Sequence, residues 1–178
     1  MSLTDRILRI ALTAAHKALK AGWFLRRPRT YGAHAIALTR ERKLVLVKLR
    51  YAPGWRLPGG GRKPHEYAQA AVIRELREEI GMIAYGRVRL ACELEESVDF
   101  KRDLATILIV EDVRYRPHRW SWEVEQVGEF ALEALPGLGH PARHRAELLR
   151  QRIQELQILL FAELALAAHP APLARLLA

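Results

Sequence analysis

Residues 60–82 read GGRKPHEYAQAAVIRELREEIGM: a glycine pair, a short polar connection, then a helical pattern closed by another glycine. The pattern predicts a helix from about Tyr67 to Ile80, with Gly81 suited to the left-handed position that ends a helix. Placed on a wheel of about 100° per residue, Ala71, Val72, Glu75, Leu76 and Glu79 fall within about 140° of one another and of Ala68. Glu75 and Glu79 therefore point along the face that should pack on the rest of the domain, and Glu78 sits at its edge. All three crowd the C-terminal end of the helix, where the macrodipole disfavours negative charge.

Carboxylates at i, i+3 and i+4 do not all ionise at close quarters unless a cation compensates them. A plain acidic, solvated face with an Arg74–Glu78 pair is the competing reading, and the phase of the apolar stripe argues against it. A hard divalent cation held by oxygen, Mg²⁺ or Mn²⁺, satisfies such a cluster, and such ions commonly serve phosphate chemistry. Upstream, Gly59, Gly60 and Gly61 remove side chains where the loop meets the helix, allowing close approach of a ligand or ion. Taken alone, three glycines mark no more than a turn.

Working outward, residues 32–38 and 43–49 carry strand patterns joined by the polar turn Arg40-Glu41-Arg42. Pro53-Gly54 and the run Pro58 to Gly61 are expected to be loops. Further strands are expected near 86–94, 104–112 and 127–132, with a loop rich in arginine and tryptophan at 114–122. Residues 3–25 form an amphipathic helical pattern with too many charges to span a membrane. A second helical pattern runs from about Pro141 to Ala168 and is very apolar at Leu156 to Leu166. These patterns divide the chain into an N-terminal helical extension (1–29), one α/β domain (30–150) and a C-terminal apolar helical extension (151–178).

With 178 residues the chain is long enough to bury a core, and half of its residues are hydrophobic. Its formal net charge of +9 favours anionic partners without selecting one. The single cysteine, Cys92, excludes an internal disulfide framework, fits a reducing compartment and reads as a small buried strand residue. A cytoplasmic location is expected, with docking of the first helix on a membrane surface as the competitor. The apolar faces of the two terminal helices are expected to pack on one another or across a homodimer interface.

The spacing Gly60-x5-Glu66-x7-Arg74-Glu75-Leu76-x-Glu78-Glu79-x-Gly81-Met82 resembles the Nudix box, with Met82 the loosest position. A chance match has a probability of order 10⁻⁸ over a chain of this composition. The lead-in Trp55-Arg56-Leu57-Pro58-Gly59 and the later Phe130-Ala131-Leu132-Glu133-Ala134-Leu135-Pro136 stretch are also similar to that family. The resemblance implies an α/β/α sandwich with a mixed sheet and the hydrolysis of a nucleoside diphosphate linked to another group. It implies metal ligation by Glu75, Glu78 and Glu79 with the Gly59 carbonyl, catalytic roles for Glu78 and Glu79, orientation of a ligand by Arg74, and support from Glu66. A carboxylate from outside the box is expected to join them: Glu123, with Glu125 in reserve and Glu93, Glu95 and Glu96 behind. Trp55 and Arg56 are candidate substrate contacts, and Trp120 and Trp122 are possible stacking surfaces.

The box does not encode the substrate. The family's tags for NADH, coenzyme A, ADP-ribose and diadenosine polyphosphates are not apparent, and Ser97-Val98-Asp99 lacks the proline or tyrosine of the latter two. No stable nucleic-acid partner is inferred, because charge is not recognition. The rival to an enzyme is an inactive binding module of the same fold, against which the full set of box glutamates argues.

Overall fold

The structure is a computed structural model and describes residues 3–139 apart from Asp99 and Arg119. It opens with helix α1 (Leu3–Arg26), then strands β1 (Arg29–Leu38), β2 (Leu44–Leu49), β3 (Trp55–Arg56) and β4 (Gly59–Gly61). Helix α2 (Ala68–Ile80) follows, and then β5 (Met82–Ala84), β6 (Val88–Val98), β7 (Lys101–Val110), β8 (Arg114–Tyr115) and β9 (Val124–Phe130). The expected C-terminal helix lies outside the described residues, and so does any covering it supplies.

The main sheet runs β3-β2-β1-β7-β6, with β9 paired to β2 and β4 paired to β1. It is mixed: β1 and β7 are parallel over Arg29–Ala37, and the other pairs are antiparallel. β1 alternates only weakly between apolar and polar because both of its faces are covered, as central strands allow. Ala33, Ala35 and Ala37 face α2 together with Val45, Val47, Leu108 and Val110. Ile36 and Leu38 face the other way, with Leu44, Leu46, Ile107 and Ile109. The small alanines let α2 approach closely, and Ala71, Val72, Leu76 and Ile80 of α2 are wholly buried against them. Each large apolar side chain buried there contributes roughly 1.5–3 kcal/mol. Among the described residues the opposite face is covered by Phe130, Leu132, Leu135 and Leu138 rather than by a helix.

Two expectations need correction. Gly59–Gly61 is not a loop but strand β4, paired to Gly32–His34 of β1. Three glycines carry no side-chain alternation, so nothing in their sequence marks the backbone ladder they share with β1. The loop at 114–122 begins as β8, which pairs with β5 to extend the chain beyond the end of α2. Gly81 does end α2 in the left-handed conformation, with φ 69°, and its N–H bonds back to Arg77.

α1 is a single helix held by side chains. Arg9 forms a 2.8 Å ion pair with Glu125, the His16 ring lies 5.1 Å from Tyr51, and Phe24 meets Phe100 edge to face at 5.0 Å. Ile7, Ile10, Leu19 and Leu25 remain exposed. No helix among the described residues is long and apolar enough to cross a membrane.

Candidate active site

The packing phase of α2 decides which glutamates turn inward. The Glu75 side chain is only 14% exposed, whereas Glu78 is 59% exposed at the rim. Glu79 reaches across to the glycine strand, where the Gly59 N–H donates to its Oε2 at 2.7 Å. Gly59 has φ 139°, a conformation that L side chains rarely adopt. At Gly60 the constraint is space: a Cβ there would lie 2.6 Å from Glu75 Oε1. At Gly60 the Glu75 carboxylate occupies the volume a side chain would need, and at Gly59 the backbone of Ala33 and His34 does.

Arg74 is the hub of the junction. Its guanidinium donates to Glu66 through Nε and Nη2, both at 2.9 Å, to Glu75 at 2.7 Å, to the Gly61 carbonyl at 3.0 Å and to Glu78 at 3.3 Å. Glu66 also accepts from the Lys63 N–H at 2.8 Å, which ties the connection before α2 to the helix itself. The Arg74 bonds, followed by the Lys63 amide, hold the Glu66 carboxyl down at about 2. Hydrogen bonding to Glu66 in turn keeps Arg74 firmly charged.

Burial has the opposite effect on the inward carboxylates. It pushes Glu79 up to about 8, and the charges of Glu75 and Glu123 add to the rise against the Gly59 amide and Arg56. Glu75 is raised as well, by burial first, with Arg74 opposing and Glu78 and Glu123 reinforcing. Glu123 therefore belongs to the same electrostatic cluster although it lies 48 or 44 positions away along the chain. It is held by the Tyr51 hydroxyl, which donates to its Oε1 at 2.6 Å. Burial, then this bond, keeps the Tyr51 hydroxyl protonated well above its usual range.

The donor set is carboxylate and backbone oxygen, with mutual repulsion only partly offset by Arg74 and Arg56. That chemistry fits a hard divalent cation. Among the described residues no three His, Cys, Asp or Glu side chains converge closely enough to hold one as placed. Arg74 engages Glu75 and Glu78, and the Gly59 amide engages Glu79, so these side chains are spoken for by protein donors.

The remaining candidates separate clearly. Glu125 is committed to Arg9 of α1, Glu95 to Arg102, and Glu93 accepts from Thr106; the Glu96 side chain lies outside those described. Trp55 packs in the apolar layer, 4.9 Å from Phe130 and edge to face, and Arg56 rather than Trp55 lines the cavity beside β4. Trp120 and Trp122 pair with each other at 4.6 Å and are exposed. Cys92 is half-buried on β6 beside the second apolar cluster. Tyr51 was not singled out from sequence. It stands alone after β2, outside any motif, and only the approach of the 121–124 segment to β2 gives it a role.

Residues 28–152 match the NUDIX domain. A Bacillus subtilis (strain 168) protein named as an 8-oxo-dGTP diphosphatase is 44% identical over 52 residues, which is 29% of this chain and 35% of that protein. An RNA pyrophosphohydrolase of Hydrogenovibrio crunogenus is 43% identical over 47 residues, 26% of this chain and 28% of that one. The chain thus spans about a third of the length of the curated relatives it matches. The crystal structure of the MutT NUDIX hydrolase from Burkholderia pseudomallei superposes with a TM-score of 0.57 at 28% identity, covering 70% of this chain and 97% of the other.

Proposed function

The chain belongs to the NUDIX family, and on that premise we propose that it is a Mg²⁺- or Mn²⁺-dependent hydrolase of a nucleoside diphosphate linked to another group. The observation that carries this reading is the pair of buried carboxylates, Glu75 and Glu79, set against side-chain-free backbone at Gly59 and Gly60. Glu75, Glu78, Glu79 and the Gly59 carbonyl would hold the cation, which when bound would neutralise phosphate charge and lower the pKa of water.

The chain's own residues supply positioning. Arg74 restrains Glu75 and Glu78 and is itself clamped by Glu66, so the carboxylates of the helix end are preorganised. In the reaction, a water oxygen forms a new bond to one phosphorus of the diphosphate and the bridging P–O bond breaks. The proton from that water goes to a carboxylate, for which Glu123, fixed by Tyr51, is the candidate outside the box. Two phosphoryl products leave, and the charges that develop are met by fixed cations rather than by reorganising water.

The test is metal-dependent release of product across a panel of nucleoside diphosphate derivatives. Hydrolysis with Mg²⁺ or Mn²⁺ and none in excess chelator is expected. Turnover of simple phosphate monoesters alone, with every diphosphate untouched, would overturn the assignment. Binding of nucleotides without turnover would instead support the inactive module.

A further inference from the structure

Glu123 stands immediately before β9, and that strand is irregular where it begins. Lys48 of β2 pairs with Gln126 and the next residue, Leu49, pairs with Val124, so the ladder skips Glu125. Such a bulge bends the strand and leaves the skipped residue without a cross-strand partner to fix it. The turn ahead of it is held from the end of β2. The Arg50 N–H donates to the Glu123 carbonyl at 2.9 Å, and Arg50 Nε donates to the Ser121 carbonyl at 3.2 Å. The Ser121 hydroxyl oxygen accepts from the N–H of Val124 at 3.1 Å and of Glu123 at 3.3 Å.

The bulge itself is gripped by α1, which lies outside the matched domain because that domain begins at residue 28. Arg9 donates through Nη2 to Oε1 of Glu125 at 2.8 Å, on the very residue that the ladder skips. Seven residues further along α1, the His16 ring rests 5.1 Å from the ring of Tyr51. The Tyr51 hydroxyl in turn donates to Glu123 Oε1 at 2.6 Å. A spacing of seven is close to two turns, so Arg9 and His16 share one face, about 10 Å apart along the axis. One helix face thus meets the strand just past Glu123 and also the side chain that holds the Glu123 carboxylate. With Arg9 43% and Glu125 21% exposed, their ion pair is partly screened and adds little to global stability. Its effect is local, on the placement of the bulge.

Building on the reading of Glu123 as the acceptor of the water proton, we infer that α1 positions this carboxylate. Arg9 is a positioning residue that acts through Glu125, and His16 is one that acts through Tyr51. A proton acceptor must stay within hydrogen-bond reach of the attacking water, and a shift near 1 Å in such a site costs about 100-fold in rate. The hydrolytic site of this chain therefore depends on an element that the family domain does not include.

Two readouts on the full chain test this, and one of them needs no turnover. In excess chelator and without substrate, amide hydrogen exchange is followed over residues 121–125. Arg9→Gln is expected to speed exchange there about ten-fold, and Arg9→Lys to restore protection. Arg6→Gln, the same charge change at an exposed position of α1, is expected to leave exchange unchanged. In hydrolysis of a nucleoside diphosphate derivative, Arg9→Gln should lower kcat about 10- to 100-fold with KM within about two-fold of the parent. Arg9→Lys should again restore it. Glu125→Gln should match Arg9→Gln, and the double variant should lose no more than either alone, as one shared interaction requires. Unchanged exchange at 121–125 in Arg9→Gln, or an equal change in Arg6→Gln, overturns the inference whether or not diphosphates are hydrolysed. A parental kcat in an Arg9→Gln chain whose exchange has quickened overturns it too. Selectively quickened exchange in a chain that hydrolyses no diphosphate upholds the placement of Glu123 by α1 and sinks the hydrolase reading instead.

Discussion

The Gly59 amide and the Glu79 carboxylate, twenty positions apart, share a 2.7 Å hydrogen bond that ties the glycine strand to the last turn of α2. The bond opposes, without overcoming, the burial that raises this carboxyl to about 8. Glu79→Gln keeps the shape and an amide oxygen for Gly59 but removes the charge. Turnover is expected to fall by two or more orders of magnitude while the thermal midpoint in chelator does not drop. A variant with parental turnover would remove Glu79 from the reaction.

The same carboxyl sets a pH dependence for the metal-free chain. Its folded value of about 8 lies above the ordinary 4.5, so the native state retains a proton that the unfolded state has lost. The resulting stabilisation is complete below pH 4.5 and disappears as pH rises through 8. Melting temperature in chelator should therefore decline across that window, with the raised Glu75 acting in the same direction. Glu66 works oppositely, its contribution being lost as pH falls from 4.5 towards 2. Added Mg²⁺ should raise the midpoint more at pH 8 than at pH 5.5, because binding requires ionised carboxylates. Melts that are flat from pH 5 to 8 would contradict the burial of Glu79.

Gly60→Ala tests whether backbone bareness or mere turn formation is needed at the junction. Its Cβ would fall 2.6 Å from Glu75 Oε1, so the carboxylate or the strand must move. A destabilisation of roughly 1–3 kcal/mol is expected from the overpacking. Activity should fall by about 100-fold, since a displacement near 1 Å is costly in a positioned site. Denaturant melts and steady-state rates measure the two effects separately, and an unaffected rate would remove the need for close approach.

Leu76 is wholly buried in the apolar cluster that α2 forms with β1 and β2. Leu76→Ala should cost about 2–5 kcal/mol, in line with other buried leucine truncations. Urea denaturation reports it as a lower midpoint at unchanged slope. A loss below about 1 kcal/mol would mean that α2 does not pack as described.

The helix face carrying Glu75 and Glu79 was legible because it depends on local periodicity: residues four apart stay neighbours in any α-helix. Gly81 was legible for a similar reason, since a left-handed cap selects glycine. The strand at Gly59–Gly61 was not, because glycines carry no pattern and the ladder is supplied by Gly32–His34. No local feature of the sequence distinguishes Glu123 from Glu125. The choice between them rests on long-range partners, Tyr51 for one and Arg9 for the other.

The sequence by itself determined the box: which glutamates share a helix face, where that helix stops, and which family the spacing resembles. These follow from covalent geometry and short-range sterics, and they hold whatever surrounds them. Only the tertiary structure decided that Arg74 spans Glu66, Glu75 and Gly61, that Tyr51 connects Glu123 to His16, and that α1 lends Lys20 and Trp23 to the cavity beside Gly60. The Arg74 contacts are local, whereas the Tyr51 and α1 relationships join residues tens of positions apart. Nothing in local spacing encodes the long-range ones, because they exist only once the sheet has brought β1, β2, β7 and both helices together.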